Sequence, residues 1–272
     1  MKCRIRKDDI AVYTNPLIDQ MLDRRSYREF TDRKVEEEKI QVLLEVARHT
    51  ATSIGLQWAS LIRINDPRKK EALADIGHQD YIARAPEVWI FLADGYRNAR
   101  IAEEKGTPSP YAFDINFFAQ AITDAALMAQ NVMVALESMG LGGVFLGSIL
   151  NDPDRLVEVL DLPQGTFPVV GMLFGYPNQN PQKKPRMDMS LRTFLDRYED
   201  RSPYLETLAD YDEEMQTYYD LRDANRRVDS FTDQVVKKIG SMNPDRNRLT
   251  RVAKSQGFRL YEDGLDFPPT AD

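Results

Sequence analysis

The stretch FDINFFAQAITDAALMAQNVMVALESMGLGGVFLGS (residues 113–148) decides the fold. Its first part predicts one long helix from Phe113 to Met139, which Gly140 ends. About 26 residues at ~1.5 Å each would span roughly 39 Å. Apolar residues cover much of its circumference, which predicts a helix buried on several sides. They are Phe117, Phe118, Ala121, Ala125, Met128, Val132, Leu136 and Met139.

Strand and helix patterns alternate on both sides of this helix. The continuous apolar run EVWIFL (87–92) predicts a central strand. Further strands are expected at 58–64, 144–146 and 167–174, and helices at 17–24, 35–48, 66–77, from 152 onward, 210–222, 229–239 and 246–255. Such interleaving predicts a mixed α/β arrangement, with the polar last third wrapping one core.

Composition excludes several classes of function. The chain has 272 residues, 36 Lys+Arg against 43 Asp+Glu, and a net charge of -7, so a broad basic surface for nucleic acid is not expected. Its one cysteine, Cys3, leaves no intrachain disulfide. Neither a secretory signal nor a run of about 18 apolar residues is found. We therefore expect a cytoplasmic protein without nucleic-acid or membrane partners.

Two basic clusters offer phosphate chemistry. In RRSYREF (24–30), residues 24, 26 and 28 of an extended chain would share one side, placing a hydroxyl between guanidiniums with paired planar donors. In KKPR (183–186), proline stiffens the backbone between cations. Each cluster taken alone is more typical of a solvated basic turn or loop than of a phosphate site.

A third cluster, GLGGVFLGS (140–148), follows the long helix directly. Its glycines would let backbone approach a flat ligand. It lacks the spacing of a dinucleotide fingerprint, and a helix end running into a strand is the simpler alternative. The chain has few residues suited to a hydrolytic or metal site, because His49 and His78 are the only histidines and no nucleophile elbow is present.

Together these stretches resemble a known family. In this order they are similar to the FMN-dependent nitroreductases, specifically the group A, oxygen-insensitive nitroreductase and NADPH–flavin oxidoreductase branch. The matching stretches are RRSYREFTD (24–32), LQWASLIRIND (56–66), DAALMAQNVMVALESMGLGGVFLGS (124–148), FPVVGMLFGYP (167–177), KKPR (183–186), YDEEMQTYYDLR (211–222) and NRRVDSFTDQV (225–235). The likeness spans one domain, 17–260, and leaves an N-terminal arm (1–16) and an acidic tail (261–272) outside it.

The resemblance implies an α+β fold, with a central mixed sheet flanked by helices in an intertwined homodimer with FMN at the interface. It implies flavin contacts spread along the chain, with Arg24 and Ser26 near the phosphate, Arg28 near the N1/O2 edge and a backbone N–H around Gly147 facing N5. The full set is Arg24, Arg25, Ser26, Arg28, Gln79, Tyr81, Phe145, Leu146, Gly147, Ser148, Lys184 and Arg186, with Thr52 and Ser53 reaching the flavin from the partner subunit.

The activity implied is ping-pong transfer of two electrons from NADPH, through FMN N5, to a nitroaromatic, a quinone or free flavin. No side chain need act as a nucleophile. Arg222, Arg226 and Arg227 are candidates for the 2′-phosphate of NADPH, although a solvated helix end explains them equally well, and NADH remains possible.

Two departures bear on the acceptor. Ile54 and Gly55 stand where relatives carry a hydroxyl or an aromatic residue beside the acceptor pocket, and Leu150 replaces a frequent arginine. A non-catalytic FMN-binding or flavin-handling protein of the same fold is the alternative. A generic phosphate-binding protein leaves the ordered motifs unexplained.

Overall fold

The computed structural model describes residues 14–109, 111–223, 229–241 and 244–260. The chain divides into two units, one of Ser26–Gln179 and Asn243–Asp272, the other of Met1–Arg25 and Asn180–Met242. We call the first the sheet unit and the second the helical unit. The N-terminal arm up to residue 13 and the acidic tail lie outside the described residues, and the single-domain organisation stays a prediction.

The sheet unit is built on four strands: β1 (Ala59–Arg63), β2 (Glu87–Asp94), β3 (Gly142–Leu146) and β4 (Thr166–Gly175). Their order is β1-β2-β4-β3, and all three neighbouring pairs are antiparallel. The α+β class is confirmed, but the expected mixed sheet is wrong for the described strands. Strands that run in the same direction, such as β2 and β3, are separated by an antiparallel neighbour.

Strand β2 is buried along its whole length, as its continuous apolar run predicted. Its one acidic side chain at the start, Glu87, is only 6% exposed. Burial of a carboxylate is costly unless it is paired. Arg63 on β1 donates to both Glu87 oxygens, at 2.8 and 2.7 Å, and Trp89 Nε1 donates at 3.0 Å. The charge is therefore compensated within the sheet.

Helices flank the sheet. In the sheet unit they are α2 (Glu37–Arg48), α3 (Pro67–Gly77), α4 (Tyr81–Arg84), α5 (Tyr96–Glu104), α6 (Ile115–Ser138), α7 (Pro153–Val159) and α11 (Leu249–Ser255). The helical unit holds α1 (Pro16–Leu22), α8 (Tyr204–Thr207), α9 (Ala209–Asp223) and α10 (Phe231–Ile239). Helix α1 starts one residue before the expected position and is capped by Asn15. The sequence did not predict α4, α5 and α8.

The long helix α6 is the central helix of the sheet unit. Asp114 caps it by accepting from Phe117 N at 2.9 Å, and Gly140 follows its end with φ +74°. Its buried side chains pack with α2 against Trp89, Phe91 and Phe174 on one face of the sheet. At about 1.5 Å per residue its 24 residues span roughly 36 Å.

The opposite face of the sheet is covered by α3, α4 and α7. Leu73, Ile82 and Leu156 from these helices pack against Ile90 and Leu173. With both faces covered, the alternating side chains of β2 and β4 all enter a core. No helix in the described ranges is long and apolar enough to cross a membrane.

Candidate flavin site

The segment around Arg28 runs beside the edge strand β3. Tyr27 N donates to Gly143 O at 3.1 Å, and Phe30 forms a bridge with Pro177 just after β4. Gln179 Oε1 accepts from the backbone N–H of Arg28 (3.3 Å) and of Glu29 (2.9 Å). These bonds fix the backbone that carries Ser26 and Arg28, because three successive backbone N–H groups, those of Tyr27, Arg28 and Glu29, are engaged.

Gly142 and Gly143 have a packing role that the sequence did not predict. A Cβ at Gly142 would lie 2.6 Å from the Tyr27 ring, and one at Gly143 would lie 2.9 Å from Met133 Sδ. Both glycines lie within β3 and pair with β4. The absence of side chains here therefore lets Tyr27 and Met133 pack closely on β3, and the approach of a flat ligand to this segment stays a prediction.

The chain leaves β3 at an exposed glycine, Gly147, and forms a short turn from Ser148 to Asn151. Ser148 Oγ donates to Gln79 Oε1 at 2.8 Å, so two residues assigned to the flavin meet. Gly77 makes this possible, since a Cβ there would lie 3.2 Å from Ser148 Oγ and 2.8 Å from Ile82 Cδ1. The loop after α3 is thus held against the end of β3.

The other residues assigned to this edge differ in burial. Leu146 is 2% exposed and packs into the core beneath the sheet, so only its backbone is left for a ligand. Phe145 and Tyr81 are half-buried. Phe145 packs partly against the core on the α6 side of the sheet, and Tyr81 partly against the core on the opposite face. Strand alternation directs the Leu146 side chain inward, and the contact of this residue with the flavin, now limited to its backbone, stays a prediction.

Arg246, which no sequence motif marked, also reaches this edge. Its Nη2 donates to the carbonyl oxygen of Gly147. The short turn Arg246–Arg248, just before α11, carries it there. A guanidinium on this carbonyl places a positive charge beside the exposed Gly147, and it orients the peptide that Gly147 shares with Ser148.

Thr52 and Ser53 lie at a different place, against the long helix. Asp124, only 3% exposed, accepts from the Thr52 hydroxyl, from Ser53 N at 2.9 Å and from Trp58 N at 3.1 Å. Ser53 Oγ donates to Gln120 Oε1 at 2.7 Å. Both hydroxyl protons are used, which leaves oxygen lone pairs on Ser53 for a donor from a bound molecule.

The loop between these anchors has an unusual backbone. Ile54 has φ +46°, Gly55 φ +75° and Gln57 φ +54°. The left-handed region is unfavourable for a β-branched residue such as Ile54. The Ile54 side chain is nevertheless 72% exposed. The bonds to Asp124 hold this strained turn, and they present Ile54 and Gly55 outward.

The helical unit carries most of the basic residues that the resemblance assigns to the FMN phosphate. Arg25 donates to Asn180 Oδ1 at 2.8 Å and to Asp23 Oδ1 at 3.3 Å, and Lys183 Nζ lies 3.8 Å from Asp23. Within this unit the structure thus brings the start of RRSYREF, at Arg25, close to the start of KKPR, at Lys183, because both contact Asp23. Asp23, which the sequence did not single out, partly neutralises the two clusters.

Two of the cations assigned to the phosphate are exposed. Lys184 and Arg186 lie on the surface, and Arg186 Nη1 donates to the carbonyl of Lys184 at 2.8 Å. Arg24 belongs to the same unit and is half-buried. Ser26 and Arg28 begin the sheet unit. The grouping of all these residues around one phosphate stays a prediction.

A charged cluster holds the chain that continues from Phe30. Tyr176 Oη donates to Glu36 Oε2 at 2.6 Å, and Arg33 donates to the other oxygen of Glu36. These bonds lower the pKa of Glu36 to about 2, the Tyr176 bond contributing most. Thr31 N donates to Tyr176 O at 2.9 Å, so the cluster fixes the exit of the Arg28 segment.

Comparison with known proteins assigns the chain to a family. The model of the Nitroreductase family matches residues 21–176, and that of its C-terminal domain matches residues 184–261. The chain belongs to the nitroreductase family. It is 36% identical over 226 residues to the oxygen-insensitive NADPH nitroreductase of Salmonella typhimurium, covering 83% of this chain and 91% of the relative.

Two further nitroreductase-family relatives cover nearly the whole chain. The FMN reductase (NADPH) of Bacillus subtilis is 34% identical over 247 residues, which is 90% of this chain and 98% of the relative. The solved NADPH:FMN oxidoreductase of Vibrio harveyi, complexed with NAD+, superimposes with a TM-score of 0.80 at 30% identity, covering 90% of this chain and 99% of that one.

The assignment of three arginines to the 2′-phosphate of NADPH stays a prediction. Arg222 lies in the last turn of α9, where no side chain is described, and Arg226 and Arg227 lie outside the described residues. Asp124 and Arg246 were missed as site residues. The carboxylate within an apolar helix was the only signal for Asp124, and none marked Arg246.

Proposed function

We propose that this chain is an NADPH-dependent FMN oxidoreductase of the nitroreductase and flavin-reductase type, acting on nitroaromatics, quinones or free flavin. One observation supports it most: where β3 ends, Ser148 donates to Gln79 and Arg246 donates to the carbonyl of Gly147, and near its start β3 bonds to the segment that carries Arg28. The names of its nitroreductase and flavin-reductase relatives support it independently.

The donor set fits FMN. A flavin mononucleotide presents a dianionic phosphate, hydrogen-bonding edges and a flat apolar ring. Arg24, Arg25, Ser26, Lys184 and Arg186 supply the cations and hydroxyl that a phosphate needs. Gln79 and Ser148 supply side-chain hydrogen bonds, and Tyr81 and Phe145 supply partly exposed ring surface.

FMN, when bound, supplies the capacity to accept a hydride and pass on two electrons. This chain's own residues position and tune it. Arg28 places a positive charge where negative charge develops, which is the largest contribution a fixed side chain makes to such chemistry. The peptide after Gly147, held by Arg246 on its carbonyl, presents a backbone N–H. No residue need form a covalent bond with substrate.

We also propose that the working form is a homodimer with Thr52 and Ser53 serving the partner subunit's site. Their hydroxyl protons are donated to Asp124 and Gln120 of the same chain, and Thr52 Oγ1 also accepts from Gln57 N at 2.9 Å, which leaves oxygen lone pairs on Ser53. Exposed apolar side chains of the helical unit, such as Val236 (69%) and Ile239 (81%), support an unfilled interface. Residence in the cytoplasm and NADPH rather than NADH as donor belong to the same proposal.

The first experiment asks for the activity itself. Purified protein supplied with FMN should be yellow, and anaerobic NADPH should bleach the flavin absorbance before a nitrofuran or quinone restores it. Protein that binds no FMN overturns the proposal. Bound flavin that neither NADPH nor NADH bleaches would support the alternative, a flavin-handling protein.

The second experiment tests Arg28. Arg28→Ala should weaken FMN binding about 10- to 100-fold, since a charge-assisted hydrogen bond contributes ~1.5–3 kcal/mol. It should also slow flavin bleaching, whereas Arg28→Lys should recover part of both. Arg84→Ala is the matched control, because Arg84 is an exposed arginine of the same unit that pairs with Glu29 at 3.1 Å. Equal FMN affinity in Arg28→Ala and wild type removes the assigned role.

A further inference from the structure

The turn from Ser53 to Gln57, which presents Ile54 outward, is supported from two sides within the sheet unit. On one side, Asp124 of α6 accepts from Ser53 N at 2.9 Å and from Trp58 N at 3.1 Å. On the other side, the turn contacts the first residues of α5. The sequence did not predict α5, and the resemblance assigns its residues no role.

Two backbone oxygens of the turn accept hydrogen bonds from side chains of α5. Asn98 Nδ2 donates to Leu56 O at 3.0 Å, and Arg97 Nη2 donates to Gln57 O. The bond from Arg97 is the charge-assisted one, so we expect it to be the stronger of the two. Both bonds act on the half of the turn that Asp124 does not reach through Ser53.

Arg97 is itself fixed to the sheet. Its backbone N–H donates to Asp94 Oδ1 at 3.1 Å, and its Nη1 lies 3.5 Å from Asp94 Oδ2. Nη1 also donates to Ser60 Oγ at 3.2 Å, and the Ser60 hydroxyl donates to Asp94. Asp94, at the end of β2, is only 8% exposed. The guanidinium therefore reaches Gln57 O from a rigid base formed by β1 and β2.

The backbone of the turn needs this support. Ile54 and Gln57 are both left-handed, with φ of +46° and +54°, a conformation that a non-glycine residue keeps only where its surroundings impose it. If Gln57 loses the bond to its carbonyl, its φ can relax to a negative value. That rotation redirects the chain before it and moves the exposed Ile54 side chain.

We propose that Arg97 is a positioning residue for the electron acceptor, because its bond to Gln57 O fixes the turn that sets Ile54 against a bound acceptor. The inference rests on the proposed function, in which Ser53, the neighbour of Ile54, serves the flavin site. The Ile54 side chain is 72% exposed and apolar, so a neutral planar oxidant packs against it. Arg97 acts through the backbone of the turn and touches neither the flavin nor the acceptor.

The first measurement does not depend on activity. Hydrogen–deuterium exchange of the full-length protein, with and without added FMN, is followed in peptides that cover residues 53–58. Arg97→Met keeps a long side chain and removes the donors, so the amides of the turn should exchange about tenfold faster. Peptides from β2 and β4 should exchange as in the wild type.

Arg100→Met is the matched control for this variant. Arg100 lies on the same helix, its side chain is 50% exposed against 42% for Arg97, and it pairs with Glu103 of that helix. Its loss should leave exchange in the turn unchanged.

The second measurement uses the protein loaded with FMN and menadione as the acceptor. Arg97→Met should raise the KM for menadione about 3- to 10-fold, while saturating NADPH bleaches the flavin at a rate within about twofold of the wild type. Arg97→Lys should recover part of the KM, because it keeps one charged donor. Asn98→Ala removes the neutral contact and should give a smaller rise, and both variants carry the test if Arg97→Met does not fold.

Several outcomes overturn the proposal. Unchanged exchange in the turn shows that Arg97 does not hold it, and faster exchange throughout the sheet unit shows that Arg97 only stabilises the fold. Faster exchange in the turn with an unchanged menadione KM excludes the turn from acceptor binding. If the wild type loaded with FMN reduces no acceptor, the proposed function fails and the role of Arg97 toward the acceptor fails with it, whereas the exchange result still decides whether Arg97 holds the turn.

Discussion

The sheet unit and the helical unit differ in how many of their apolar side chains are buried. In the sheet unit β2 is buried throughout, and eight residues of α6 are buried. In the helical unit, α1 and α10 bury none of their residues, and apolar side chains such as Leu195 (82%) and Leu205 (72%) are exposed. The sheet unit buries its own core, whereas the helical unit carries apolar side chains that stay exposed to solvent in a monomer.

The difference separates stability from assembly. Substitutions in the sheet unit should act on the free energy of unfolding, because its interior is closed. Substitutions at exposed apolar sites of the helical unit should act on association instead. The two units can therefore be distinguished by which measurement responds.

The largest effect is expected in the core of the sheet unit. Leu136→Ala removes a fully buried side chain of α6 and should lower the free energy of unfolding by about 2–5 kcal/mol, through lost burial and the cavity left behind. Denaturant unfolding measures it. Leu127→Ala on the same helix, where the side chain is 45% exposed, is the control and should cost under about 1 kcal/mol. Similar losses in both variants contradict a closed core.

The next effect tests the polar anchor of the same unit. Asp124→Asn replaces one of two oxygens that accept hydrogen bonds by an NH₂ group that can only donate them. The free energy of unfolding should fall by about 1–3 kcal/mol. Because the carboxylate also holds the strained Ile54 turn, the acceptor KM should rise while the rate of flavin bleaching stays unchanged. Thr123→Ala, at an exposed neighbour, is the control. A normal acceptor KM in Asp124→Asn limits its role to stability.

Local patterns made much of the sheet unit predictable. The apolar runs of β2 and β4 and the two-sided pattern of α6 are readable without knowing their neighbours. Helix α5 was missed because its sequence, YRNARIAEE, is mostly polar and buries no residue. The antiparallel pairing was missed because strand neighbours depend on the path of the connections, which periodicity does not encode.

The candidate site was predictable where its residues form local motifs. RRSYREF and GLGGVFLGS are contiguous, so the resemblance could assign roles to Arg28 and Ser148, and these roles stay predictions. The contacts of Arg246 with Gly147 and of Asp124 with Thr52 join residues 99 and 72 positions apart. Such pairs follow only from the folded chain, and a single sequence gives no sign of them.

A smaller effect on folding, with a large one on assembly, is expected in the helical unit. Ile239→Asp should change the free energy of unfolding of the monomer by under about 0.5 kcal/mol, because the side chain is 81% exposed. In the proposed dimer it places a charge in an apolar interface and should raise the dissociation constant tenfold or more. Sedimentation velocity over a dilution series measures it. Ser241→Asp adds the same charge at a nearby exposed polar site, and equal dissociation in both variants would argue against this helix as an interface.

The smallest effect concerns the charged cluster that holds the Arg28 segment. The pKa of Glu36 falls from 4.5 to about 2 because Tyr176 and Arg33 donate to its ionised form. A lowered pKa in the folded state means that Glu36 stabilises the fold above pH ~4.5 and ceases to do so as the pH falls towards 2. Glu36→Gln should therefore lower the Tm at pH 7, and the gap from wild type should close between pH 4.5 and 2. The control, Glu38→Gln, removes a carboxylate of the same first turn that does not receive the Tyr176 proton. A gap for Glu36→Gln that persists unchanged at pH 2 would show that the glutamine disturbs packing rather than charge.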